Sequence, residues 1–237
     1  MRNLLYFLFC CALLSCKKRG SRNCKLVSIE KGFFPPEKTT YEYDQQGRII
    51  KMIGPPGTTV VTYYSDSIVV TDPSTITTYY IASSDLAATS KSRSSFPNQS
   101  QPTSEYNYTY NTEGYLIQMG GVYSRLVNGI TTRDTFNWSF TIQNGNITEY
   151  RSGNVIVGSY QYTNLIAKEN IAFTNQPVYQ WPFLGKFSRN LISNMPTFTG
   201  SVRFEYEFDA ESNIIKRKEF HTGSPGNAIS YYNYQCD

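Results

Sequence analysis

The chain has 237 residues, of which 40% are hydrophobic and 17% charged, and its formal net charge is +4. Such a chain can bury a core of about one domain, and it is too apolar and too weakly charged to remain disordered. The positive charge is thin and partly gathered near the N-terminus, which excludes the basic stripe of a nucleic-acid binder, so no nucleic-acid partner is expected.

Arg2 precedes an apolar run over residues 4–14, LLYFLFCCALL. A permanent bilayer span needs roughly 20 residues, so this run fits the apolar region of a signal peptide over residues 1–15. Leu13-Leu14-Ser15-Cys16 resembles the lipobox of bacterial lipoproteins. That resemblance implies acylation of Cys16 and a membrane-lipid partner held through its two or three chains. An ordinary secretory signal with an incidental cysteine is the alternative. Residues 16–23 form a basic tether, read as a solvated linker, with attraction to an anionic membrane surface as a second reading. The expected location is the cell envelope, lipid-anchored to the outer membrane and facing either the periplasm or the outside. No second apolar run reaches transmembrane length.

Residues 24–237 read as one β-rich domain. Cys24 and Cys236 are the cysteines left after the signal and the anchor. An oxidising compartment makes them a candidate disulfide, with two free thiols as the alternative. The 20 Tyr and 14 Phe suit strands, and Tyr can cover apolar surface while its hydroxyl stays wet.

In chain order, a repeated unit recurs: alternating aromatics, a polar turn, then aliphatic residues. It is YEYDQQGRIIK at 41–51, YNYTYNTEGYLIQ at 106–118, WSFTIQNGNITE at 138–149 and FEYEFDAESNIIK at 204–216. Each unit reads as a β-hairpin, with Tyr41 and Tyr43, Tyr106, Tyr108 and Tyr110, and Phe204, Tyr206 and Phe208 sharing a face within their strands. Asp44, Asn111 and Asp209 can cap the turns, and Gly47, Gly114, Gly145 and Asn213 can take positive φ. Further strands are expected at 58–64, 67–71, 76–81, 155–163 and 230–234. Residues 82–91 read as helix or loop, 90–103 as a polar mobile loop and 183–194 as containing a short helix. Lone hairpins are marginal, so these must pack into a larger sheet. The fold class is therefore all-β: a strongly curved antiparallel meander of repeated hairpins, either open or closed into a barrel, with at most one short helix.

These repeats resemble the tyrosine-aspartate (RHS-type) repeats of large bacterial surface and toxin proteins. With the segment at 138–148 and GKFSRNLI at 185–192, the arrangement more closely resembles an uncharacterised Bacteroidetes lipoprotein family whose β-domain is porin-like. The resemblance spans roughly residues 24–236. It implies a curved antiparallel sheet without implying a membrane pore, and it carries over no catalytic residues.

An enzyme is not expected. His221 is the one histidine, in a strand end entering a turn, and no nucleophile elbow or phosphate-binding glycine loop occurs. In Gly54-Pro55-Pro56-Gly57 the prolines remove the donors that a phosphate nest needs. Glu205 and Glu207 face Lys216 and Lys218 on the expected return strand, which fits cross-strand charge pairing better than a glycosidase pair. No cofactor or metal is expected. What remains is a non-enzymatic ligand- or glycan-binding module of the envelope. The alternative is a structural or protein-interaction component of an envelope assembly. Trp181, Tyr179, Tyr123 and Trp138 are the candidate ligand contacts, with Trp138 also explained by core packing and Trp181 expected to be partly exposed between prolines.

Overall fold

The alternating segments form antiparallel strands. The computed structural model describes residues 24–32, 36–55, 57–82, 85–95, 103–127, 130–168, 181–197, 200–222 and 227–236. Seventeen strands lie among them: β1 (Cys24–Lys31), β2 (Glu37–Tyr43), β3 (Ile49–Gly54), β4 (Gly57–Tyr63), β5 (Ser67–Thr71), β6 (Thr75–Ile81), β7 (Ala87–Ser94), β8 (Ser104–Tyr110) and β9 (Leu116–Val127). They continue with β10 (Ile130–Gln143), β11 (Asn146–Ser152), β12 (Val155–Ser159), β13 (Gln161–Ile166), β14 (Asn190–Thr197), β15 (Gly200–Phe208), β16 (Ile214–Thr222) and β17 (Ala228–Cys236).

Each strand pairs with its chain neighbours except at β12–β13, and β1 pairs with both β2 and β17, so the meander curls into a nearly closed barrel. The ladder breaks at β12–β13. Only Tyr160 separates them, so the chain cannot reverse there: β12 pairs with β11 and β13 with β14. Antiparallel order puts the turns after β2, β4, β6, β8, β10 and β15 at one end. Cys24 opens β1 and Cys236 closes β17 at that same end, where their sulfurs bond. We call it the cystine end.

The pleat sorts the side chains. Inward lie Leu26, Val61, Ile68, Val70, Leu116, Phe140, Ile147, Val202, Phe204 and Ile214, all buried. Outward lie charged residues paired across strands: Glu42 with Lys51 at 3.1 Å, Lys91 with Glu105 at 3.0 Å, and Glu207 with Lys216 at 3.3 Å and Lys218 at 2.9 Å. The expected register of Glu205 and Glu207 opposite the β16 lysines is realised, but both lysines pair with Glu207, and Glu205 pairs with Arg203 on its own strand. A lipid-facing wall has the opposite pattern, apolar outside and polar within.

Four local expectations are corrected. Within the stretch expected as helix or loop, residues 87–91 are strand, because β7 zips onto β6 from Ile81↔Ala87 to Thr75↔Ser94 and the ladder overrides the weak local preference. Residues 90–94 are therefore strand, and 96–102 lie outside the described residues. The short helix placed at 183–194 shrinks to a 3-10 turn, Pro182–Leu184, with β14 following. In the fourth repeat the positive φ falls on Ser212, at 63°, rather than on Asn213, whose backbone N–H instead reaches the Asp209 carboxylate at 2.7 Å.

Candidate functional site

The inward aromatics do more than fill space. Six tyrosine hydroxyls each donate to the carbonyl at or near the start of the preceding descending strand: Tyr43 to Leu26, Tyr63 to Ile49, Tyr110 to Ala87, Tyr162 to Ile147, Tyr206 to Ile192 and Tyr234 to Ile214. Each buried phenol is thereby satisfied, as it must be to avoid an unpaired polar group. Burial pushes the Tyr43 and Tyr162 hydroxyls up to about 12, and those of Tyr110, Tyr206 and Tyr234 higher still.

Residues 181–189 run inside the barrel at the cystine end. Trp181, Phe183, Leu184 and Ser188 are buried. The backbone N–H of Lys186 donates to Gly114 O at 2.9 Å and that of Arg189 to Gly145 O at 2.8 Å, so two repeat turns hold this segment. The Ser188 hydroxyl accepts from Ile147 N at 3.1 Å. Trp181 stacks on Phe183 with ring centroids 5.8 Å apart, and Phe183 meets Tyr79 at 4.8 Å. The lumen is therefore plugged by side chains of its own chain.

Beside this plug, under the turns after β2, β4 and β6, lies a cleft of about 710 Å³. Its lining combines Tyr43, Tyr63, Tyr64, Trp181 and Phe187 with Lys25, Arg48 and Asp85. Arg48 is fixed twice: its Nε donates to Asp44 at 2.7 Å and its guanidinium lies 4.1 Å from the Tyr63 ring centre. Lys25 Nζ lies 5.8 Å from the Tyr43 ring centre. Burial raises the Tyr63 hydroxyl, against the pull of Arg48. The volume is in the range of small-molecule sites.

The four candidate contacts are not brought together. Trp181 lines the cleft but is 7% exposed, against the partial exposure expected, because the flanking turn presses it onto Phe183. Trp138 is half-buried in the wall, 5.3 Å from Phe136 and 6.2 Å from Tyr150. Tyr123 is 48% exposed near the far end of β9, away from the cleft. Tyr179 lies outside the described residues. Sequence reasoning missed Lys25, Arg48, Tyr63 and Phe187. The repeat pattern marked Arg48 only as part of a turn, and nothing in the sequence pattern singled out Lys25. Among the described residues no group of three or more metal-ligating side chains converges. His221 lies at the end of β16, 3.6 Å from the Glu219 carboxylate.

No family model matches the chain. No curated protein matches it either. Solved structures do. A porin-like protein from Bacteroides uniformis ATCC 8492 superposes with a TM-score of 0.60 at 19% identity, covering 90% of this chain and 96% of that one. A porin-like protein from Bacteroides vulgatus ATCC 8482 gives 0.65 at 16% identity, covering 90% and 99%. The TcdB2-TccC3-TEV structure reaches only 0.28 at 12% identity over 11% of its length, so the tyrosine-aspartate repeat likeness carries no argument.

The anchored-lipoprotein expectation is corrected at this point. Residues 1–23, with Cys16 and the tether, lie outside the described residues. No helix among the described residues is long and apolar enough to cross a membrane, and no matching family or curated protein brings an anchor with it. The lipoprotein and membrane-anchor expectation finds no support and is not used below, while the signal peptide, the acylation of Cys16 and its lipid partner fall on residues that the structure does not describe. The cysteines that do find a role are Cys24 and Cys236. The chain has the porin-like β-barrel fold of the two Bacteroides proteins.

Proposed function

We propose that this protein is a non-enzymatic capture module of the cell envelope, holding a small molecule in the cleft at the cystine end. The observation that carries the reading is that cleft, walled by aromatics and bounded by a plug that closes the lumen behind it. An envelope location is supported by the porin-like fold and by the Cys24–Cys236 bond, since disulfides persist in oxidising compartments. The outward ion pairs favour a barrel bathed in water over a pore set in lipid: an Arg or Lys at the midplane of a lipid-facing barrel wall costs roughly 2–4 kcal/mol.

The test is extraction of the natively purified protein followed by mass spectrometry of released small molecules. Ser65→Trp puts an indole on the exposed rim of the cleft without touching the core. The expected result is a molecule retained by the parent chain and lost from Ser65→Trp at unchanged melting temperature. Equal retention by both would take the ligand out of the cleft.

A second reading, an assembly component, rests on a different surface. Val155, Ile156 and Val157 on β12 are 67%, 51% and 45% exposed beside the break in the ladder. Such an edge invites strand pairing by a partner. Crosslinking from intact envelopes tests it: a stoichiometric protein crosslinked through β12 would favour assembly over capture.

A further inference from the structure

The chemistry of the cleft narrows what it can hold. Its floor is apolar: Ile49, Ile68, Ile81, Leu86, Phe183 and Phe187 all line it. Neutral sugars are held by many convergent donors and acceptors, and here the two best placed are already committed. The Tyr43 hydroxyl is given to Leu26 O at 2.7 Å and the Tyr63 hydroxyl to Ile49 O at 3.0 Å. Breaking either bond would strand a carbonyl in the wall.

The rim has the opposite character. Lys25 near the start of β1 and Arg48 in the turn between β2 and β3 both line the opening, with Gly47 close to the Lys25 side chain. A Cβ placed on Gly47 would sit 3.9 Å from Lys25 Nζ, so the ammonium hangs directly over the turn that carries Arg48. Among the described residues Lys25 forms no salt bridge. Arg48 spends its Nε on Asp44, leaving its terminal nitrogens. Asp85 is the one carboxylate among the lining residues, against these two cations. A cation held over a tyrosine ring keeps its place without a counter-ion and loses little freedom when an anion arrives.

We infer that the cleft takes an amphipathic carboxylate, an apolar chain or ring system with an acid at one end, whose tail lies on the apolar floor and whose head meets Lys25 and Arg48. The inference rests on the capture reading and names its ligand class. Glycan, the broader possibility left by the sequence, fits this lining less well.

Calorimetric titration of the whole protein with octanoate, octanol and maltose tests it. Octanoate is expected to bind, more weakly as salt rises, and octanol roughly tenfold more weakly than octanoate, a difference of about 1.4 kcal/mol. Lys25→Gln, at an exposed position, is expected to bring octanoate down towards octanol while leaving octanol and the melting temperature unchanged. Equal binding of octanoate and octanol, or no effect of Lys25→Gln, would overturn the carboxylate assignment and leave capture standing. Binding of maltose in place of octanoate, lost in Ser65→Trp, would overturn it in favour of a sugar. Failure of all three probes, with no molecule retained by the natively purified protein, would remove both the assignment and the capture reading.

Discussion

At the scale of single residues, the tyrosine hydroxyl is the recurring device. Its ring fills the lumen and its hydroxyl donates to a carbonyl of an earlier strand. Tyr162 shows both roles, donating to Ile147 O at 2.5 Å and lying 3.0 Å from Ser188 Oγ of the plug. Tyr162→Phe is expected to cost about 1–3 kcal/mol in chemical denaturation, because a buried carbonyl loses its donor while the ring stays. Equal stability would mean water replaces the phenol. The same burial sets the response to base. In the unfolded chain these phenols ionise near 10.0, whereas in the fold Tyr43, Tyr108 and Tyr162 are pushed up to about 12. A raised folded value gives stability that is complete below pH 10 and lost as pH climbs towards 12. Tyrosinate absorbance is therefore expected to rise together with unfolding across that window. A gradual rise in a protein that stays folded would contradict the burial.

At the scale of elements, the repeat turns carry the architecture, and most of them were legible. Asp44 accepts from Arg48 N at 2.8 Å, Asn111 from Tyr115 N at 2.9 Å and Asp209 from Asn213 N at 2.7 Å, the caps that the repeats announce. Gly47, Gly114 and Gly145 take φ values of 79°, 89° and 77°. Composition concealed the rest: β7 is rich in serine and alanine, and only its pairing with β6 reveals it as a strand. The second function of the turns was equally hidden, since their role as anchors for residues 181–189 depends on contacts far apart in sequence. Gly145 exposes that role. A Cβ there would lie 3.0 Å from Tyr115 Oη and 3.3 Å from Arg189 Cβ, whereas at Gly153, φ 58°, it would meet nothing within 4 Å. Both Gly→Ala changes carry the left-handed backbone penalty of roughly 1–2 kcal/mol. Gly145→Ala is expected to lower stability further by crowding the plug, and equal losses at the two sites would show that the plug yields freely.

At the scale of the whole molecule, closure is what the sequence could not state. Alternation shows which residues share a face but not that β17 returns to β1, a pairing with Cys24 opposite Cys236 across 212 residues. A cross-link over so long a loop stabilises by several kcal/mol, about 5 in the chain-entropy account. Closure also created the cleft, which joins residues 25–86 to residues 181–187; that explains why Trp181 was visible as a candidate while Lys25 and Arg48 were not. It also turned the aromatic face inward and the charged face outward, so a porin-like barrel here has a packed lumen and a polar wall.

Hydroxyl-radical footprinting of the protein with and without lipid vesicles tests that orientation most directly. Tyr80 and Tyr231 stand on the outer wall, 41% and 46% exposed, and Tyr64 stands on the rim at 60%. Equal oxidation of Tyr80 and Tyr231 in both conditions is the predicted result. Protection of these two by vesicles, with Tyr64 still oxidised, would place the wall in lipid and contradict the account.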